Sequence, residues 1–139
     1  MYKIGLISCV KTKQKTKQKA SDLYISLLFK KSFLYCTDHY DKVFILSAKY
    51  GLLSPETVIC PYNETLNNFN KKQKQKWSYD VLMDLKKVTD IKKDIFYIHA
   101  GINYRQYIIK KLINYKIPLN KLRLGNQLKW YNEKALCIR

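Results

Sequence analysis

Three short apolar runs, KIGLIS at 3–8, VFIL at 43–46 and IFYI at 95–98, recur along this sequence at intervals too long for hairpins. Each is rich in aliphatic or aromatic residues, bounded by polar sequence, and short enough to be a buried strand. Between them, apolar residues return at helical spacing. Leu23, Tyr24, Leu27, Leu28, Phe33 and Leu34 precede the second run, and Trp77, Val81, Leu82, Leu85 and Val88 precede the third. Strands alternating with helices imply βαβ units, right-handed crossovers and a parallel sheet covered on both faces. The expectation is an α/β fold, a three-layer α/β/α arrangement that is Rossmann-like, with a small, mostly parallel sheet of three to four strands.

The helix limits follow from capping and breaker residues. Ser21 and Asp22 can cap a first helix running to about Cys36, and Asn70 or a neighbour starts a second, running to about Val88. A third is expected from about Tyr104 to Tyr115, with Tyr107, Ile108, Leu112 and Ile113 inward and Pro118 stopping it. The last spans Leu122 to Ile138 around Leu128, Trp130, Tyr131 and Leu136, entered through Gly125. The 139 residues read as one domain, 1–139, without internal repeats and large enough for a core.

In an open parallel sheet, ligands bind outside the carboxyl ends of the strands. All three strand ends turn polar or small at once: Ser8-Cys9-Val10-Lys11, Ser47-Ala48-Lys49-Tyr50-Gly51 and His99-Ala100-Gly101. The second opens a long connection holding Pro55, Pro61, Tyr62 and Glu64, and a loop of that length in a compact domain usually has a task. Lys11 and Lys49 suit a phosphate or carboxylate. Tyr50, Tyr62 and Tyr104 can stack a base, and Gly51 and Gly101 suit close backbone approach. Ser8, Ser47 and His99 are candidates for contact or activation, with Glu64 as the general base of that loop. Each has a bland alternative: Cys9 as packing, Ser8 and Ser47 as turn formers, His99 as a strand-end backbone partner, several tyrosines as core.

Charge bears on the partner. Lys+Arg number 27 against 10 Asp+Glu, a formal +17, and only Arg105, Arg123 and Arg139 are arginines. A field this basic attracts polyanions, nucleic acid or nucleotide foremost. Two runs concentrate it: KTKQKTKQK at 11–19, read as a mobile low-complexity loop, and KKQKQK at 71–76, which loads the start of a helix with the sign its dipole disfavours. Lys13, Lys71, Lys72, Lys74 and Lys76 are the candidate nucleic-acid contacts, with a solvated lysine face as the alternative. The cysteines are scattered without zinc-ligand spacing, and no phosphate-loop, dinucleotide, zinc-protease or nucleophile-elbow motif occurs, so no metal and no cofactor is expected. No secretory pattern and no apolar run of membrane-spanning length is present; a cytoplasmic protein with no membrane partner is expected, its oligomeric state open.

Several of these blocks, in order, resemble the YaaA family of peroxide stress proteins and its shorter bacterial and phage relatives. Ile7-Ser8-Cys9-Val10-Lys11-Thr12 resembles the family's I-S-P-A-K-T, and Asp22-Leu23-Tyr24 its D-V-Y. Leu46-Ser47-Ala48-Lys49-Tyr50-Gly51-Leu52-Leu53-Ser54-Pro55 is similar to L-S-G-L-Y-G-L-L-R-P, and Pro61-Tyr62 to the P-Y that follows. Trp77 and the His99–Tyr104 stretch fall where a tryptophan helix and a last strand-end block belong. Cys9 stands for a proline, Lys49 occupies an apolar position, and Glu64 is displaced by one place from the family's glutamate. The pattern bears a fainter resemblance to the catalytic domain of archaeosine-forming tRNA modification enzymes. The resemblance implies DNA binding and protection under oxidative stress in the first case, and base-modifying chemistry in the second.

Residues and resemblance together lead to a protein acting on a nucleotide or nucleic-acid base, through base-modifying or glycosidic-bond transfer in an anionic-ligand cleft. The alternatives are a non-catalytic DNA-binding stress protein and a small-molecule binding module.

Overall fold

The computed structural model describes the backbone of residues 1–138 and side chains through residue 135. Leu136 and Cys137 therefore lie outside the described side chains. The elements in order are β1 (Lys3–Ser8), β2 (Gln18–Lys19), α1 (Ala20–Leu23), α2 (Leu27–His39), β3 (Lys42–Ser47), β4 (Gly51–Leu53), β5 (Val58–Ile59), α3 (Lys71–Val88), β6 (Ile95–His99), α4 (Ile102–Arg105), β7 (Tyr115–Lys116) and α5 (Leu124–Ile138). Short 3-10 turns cover Leu66–Asn68 and Ile109–Lys111.

The fold is α/β. The three apolar runs become β1, β3 and β6, with β1 central and parallel to both neighbours: Ile7 registers with Ile45 on one side and His99 on the other. The sheet has five strands, not three or four, in the order β4-β3-β1-β6-β7. The added strands are only three and two residues long, too short to show a strand pattern in the sequence. β4 folds back antiparallel on β3 through the Ser47–Gly51 pair, and Gly51 takes a φ of 73°, a left-handed conformation that side-chain-bearing residues resist. β7 runs parallel to β6 at the opposite edge.

The lysine-rich run is tied down. β2 pairs antiparallel with β5, Lys13 bridges to Tyr24, and the Ile25 amide donates to the Thr12 carbonyl at 3.1 Å. Its alternation of lysine with polar residues gives no apolar face, so the backbone pairing has no sequence signature.

The first expected helix is two. Tyr24 is extended, and Ser26 caps α2 by accepting the Phe29 amide at 3.1 Å. The break resets the helical phase: α2 buries Phe29, Ser32 and Cys36, and leaves Leu27 and Leu34 exposed. α3 follows expectation, with Asn70 and Gln73 forming a capping box and Trp77, Val81, Leu82 and Leu85 buried, although Val88 is exposed. The helix expected over 104–115 does not form. α4 spans four residues and gives way to turns, because the chain must extend by Asn114, whose carbonyl accepts the Phe96 amide at 3.0 Å, to enter β7. Ile108 and Leu112 are buried, but Ile113 is exposed.

On one face of β1, Gly5 admits the Tyr40 ring so closely that a Cβ there would lie 2.6 Å from Tyr40 Cδ2. That ring stacks on Tyr97 with centroids 4.4 Å apart. α5 packs against α2 through Tyr131, whose hydroxyl donates to Ser32 Oγ at 3.0 Å, and through Trp130 against Tyr35. Among the described residues, no helix is long and apolar enough to cross a membrane.

Candidate ligand site at the strand ends

The candidate residues at the three strand ends do not line one cleft. They divide into two groups on either side of the end of β1.

The first group is a packed hydroxyl cluster at the end of β3. Ser47 Oγ accepts the Tyr50 amide at 3.0 Å and donates to Tyr62 Oη at 2.8 Å. Tyr62 Oη lies 2.6 Å from Tyr24 Oη, and the Ser47 carbonyl accepts the Trp77 indole N–H at 2.9 Å. Burial pushes the Tyr24 hydroxyl up to about 12 and raises that of Tyr62 further, so both stay protonated as neutral partners. Cys9, just past the end of β1, joins as well: its Sγ lies 3.3 Å from Tyr104 Oη. The Lys13 ammonium covers the cluster, 4.5 Å from the Tyr62 ring centroid, and burial lowers its pKa against the opposing pull of Cys9 and Glu64. Lys13, a candidate nucleic-acid contact by sequence, meets Tyr24 and Trp77, apolar-face residues by sequence, at this cluster.

The second group surrounds a cavity of about 630 Å³ between the ends of β1 and β6, α2, α5 and the segment 117–122. That volume falls within the roughly 300–1,000 Å³ of small-ligand pockets. Ser8, His99 and Gly101, three of the expected site residues, line it together with Ser32, Arg105 and Tyr131. Ile7, Leu28, Phe29, Ile98 and Leu119 supply apolar wall, and among the described residues its lining includes Arg105 and Lys121 but no carboxylate.

His99 is held rather than presented. Its Nε2 lies 2.7 Å from Tyr40 Oη and its Nδ1 2.7 Å from Tyr131 Oη. Because Tyr131 donates its proton to Ser32, its oxygen is left to accept from Nδ1–H, and Nε2 accepts from Tyr40. The chain Tyr40→His99→Tyr131→Ser32 thus fixes a neutral imidazole, and burial lowers its pKa to about 4. Both ring nitrogens are committed to tyrosines, which makes His99 a positioning residue for Tyr131 and Ser32.

Arg105, which the sequence reading did not single out, enters through α4. Its guanidinium donates to the Ala100 carbonyl at 2.8 Å and to Asn120 Oδ1 at 3.2 Å, leaving three of its five N–H groups for other partners. A rare arginine in a lysine-rich chain, six residues past a strand end, was the available signal.

The remaining candidates stand apart. Lys11, Lys49 and Glu64 are exposed; Lys49 lies over the ring of Tyr50, and Glu64 is near enough to Lys13 to act on its charge. Gly51 serves the β3–β4 turn. Gly101 has a φ of −68°, and a Cβ placed on it would meet nothing within 4 Å, so neither strain nor crowding requires glycine there. On α3, Lys76 pairs with Asp80, Lys74 donates to Asn103, and Lys71 and Lys72 are exposed.

A family of unknown function, DUF6884, matches residues 4–133. The chain belongs to it. The matched span takes in both groups, from β1 through Tyr131 on α5. No curated protein and no solved structure matches the chain.

Proposed function

We propose that this DUF6884 chain binds a nucleotide, or the base and phosphate at a nucleic-acid end, in the cavity beside β1 and β6. The observation that carries the reading is the cavity's composition: about 630 Å³ at the carboxyl edge of parallel strands, apolar walls, and Arg105 with Lys121 as its charges. Cations without carboxylates select an anion, and apolar walls select a body that is flat or greasy. Ser8 and Gly101 reach the cavity from adjacent strand ends, as the strand-end rule for ligands requires. The resemblance of the Leu46–Pro55 stretch to the YaaA family favours nucleic acid as the partner class, although that stretch lies in the hydroxyl cluster and not in the cavity lining. The test is calorimetric titration of the full chain with nucleosides and nucleoside monophosphates. Micromolar to millimolar binding that Arg105→Gln weakens supports the reading; no binding by any of them overturns it.

A second reading rests on charge. Lys71 and Lys72 stand exposed at the first turn of α3, in a chain of net +17, where a phosphate would relieve their conflict with the helix dipole. Non-specific nucleic-acid binding by that surface weakens steeply with salt; a flat salt dependence contradicts it.

A further inference from the structure

The segment Pro118–Leu122 passes over the cavity edge as a turn between β7 and α5, and it is anchored at three points. Leu119 is buried, Asn120 accepts from Arg105 at 3.2 Å, and the Leu122 carbonyl accepts from Gln127 Nε2 at 2.8 Å. Within it Lys121 has a φ of 69°, the positive φ found on a non-glycine residue among those described. Such a conformation costs about 1–3 kcal/mol in general and gathers at ligand clamps, where surroundings hold it in place. Lys121 lines the same cavity as Arg105. The strained residue is thus also the second cation of the site.

We infer that Arg105 and Lys121 form a clamp for a terminal phosphate monoester, and that the ligand is a free mononucleotide or a phosphorylated chain end rather than an internal nucleotide. This inference rests on the cavity reading above. Arg105 is preorganised, since two of its N–H groups are fixed by Ala100 and Asn120 while the rest can take two phosphate oxygens. Asn120 links the two cations through the backbone, so the strap and the guanidinium hold one geometry. A monoester carries close to two negative charges near neutrality and presents three terminal oxygens, which two cations match. A phosphodiester carries one charge, and its second ester arm would have to leave past a strap tethered at both ends.

The test titrates the full chain with a nucleoside, its 5′-monophosphate and the corresponding dinucleoside monophosphate, for wild type, Arg105→Gln, Lys121→Gln and Lys121→Gly. The monophosphate is expected to bind at least about tenfold more tightly than either of the others. Lys121→Gln should erase most of that preference without lowering the melting temperature. Lys121→Gly should erase it while raising the melting temperature, because glycine relieves the φ of 69°. Equal affinity for nucleoside and monophosphate, or a preference that survives both Lys121 substitutions, overturns the clamp and leaves the cavity reading standing. Absence of binding by all three overturns both.

Discussion

His99 accepts the hydroxyl proton of Tyr40 across 2.7 Å, from a residue 59 positions away, and is thereby locked in one neutral tautomer. The contact joins the end of α2 to the end of β6, where His99 lines the cavity. Protonating the ring would place two N–H donors against Tyr131 and Tyr40, one of which must then reverse its hydroxyl.

The consequence is a pH dependence with a fixed sign. The folded-state pKa of about 4 lies below the ordinary 6.5, so the unfolded chain takes up a proton that the folded chain refuses. Stability is therefore full above pH 6.5, declines as pH falls from there, and levels off below about 4. The full effect is on the order of 3 kcal/mol. Chemical denaturation at pH 7.5 and 4.5, compared between wild type and His99→Gln, reads it: the wild type should lose more than the variant, and an equal loss refutes the assignment.

The hydroxyl cluster around Tyr62 should behave as one unit. Tyr62→Phe removes the acceptor of Ser47 and the partner of Tyr24 together, at an expected cost of about 1–3 kcal/mol. Tyr24→Phe combined with it should cost less than the sum of the two single changes, as measured by denaturation in a double-mutant cycle. Strict additivity would show that the hydroxyls do not act through each other.

Three glycines separate three physical situations. Gly5→Ala places a Cβ 2.6 Å from the Tyr40 ring, itself stacked on Tyr97 and bonded to His99, so about 1–3 kcal/mol should be lost. Gly51→Ala must adopt a φ of 73° and should cost about 1–2 kcal/mol. Gly101→Ala meets nothing and should stay within about 0.5 kcal/mol of wild type. Melting curves of the three variants give the order.

The lysine face makes a separate prediction. If Lys71 and Lys72 each contact a phosphate, replacing both with Gln should reduce the slope of log K against log salt for duplex DNA by about 1.8. An unchanged slope places the contacts elsewhere.

The sheet was legible because its three central strands carry apolar runs that few other structures accept. β4 and β7 were not, since strands of three and two residues are too short to show a periodicity, and the helix over 104–115 failed because pairing at β7 outcompeted local spacing. Ser8 and His99 do close β1 and β6, and Gly101 follows two residues later. Their separation from Ser47 and Tyr62 was hidden, because it depends on which helix packs over which strand end. The partners of His99 are the clearest case: Tyr40, Tyr131 and Ser32 lie on or beside two helices, up to 99 positions apart within their own chain of bonds. The place of Lys13 over Tyr62 was hidden for the same reason, since only the fold brings that ring beneath it.

Whether the strand-end cavity takes the proposed nucleotide is read residue by residue from backbone amide chemical-shift mapping. On adding a nucleoside 5′-monophosphate to the full chain, shifts should concentrate at Ser8, His99 to Arg105, Asn120 to Leu122 and Gln127. Shifts confined to the lysine runs at 11–19 and 71–76, with the strand-end cavity silent, would contradict it.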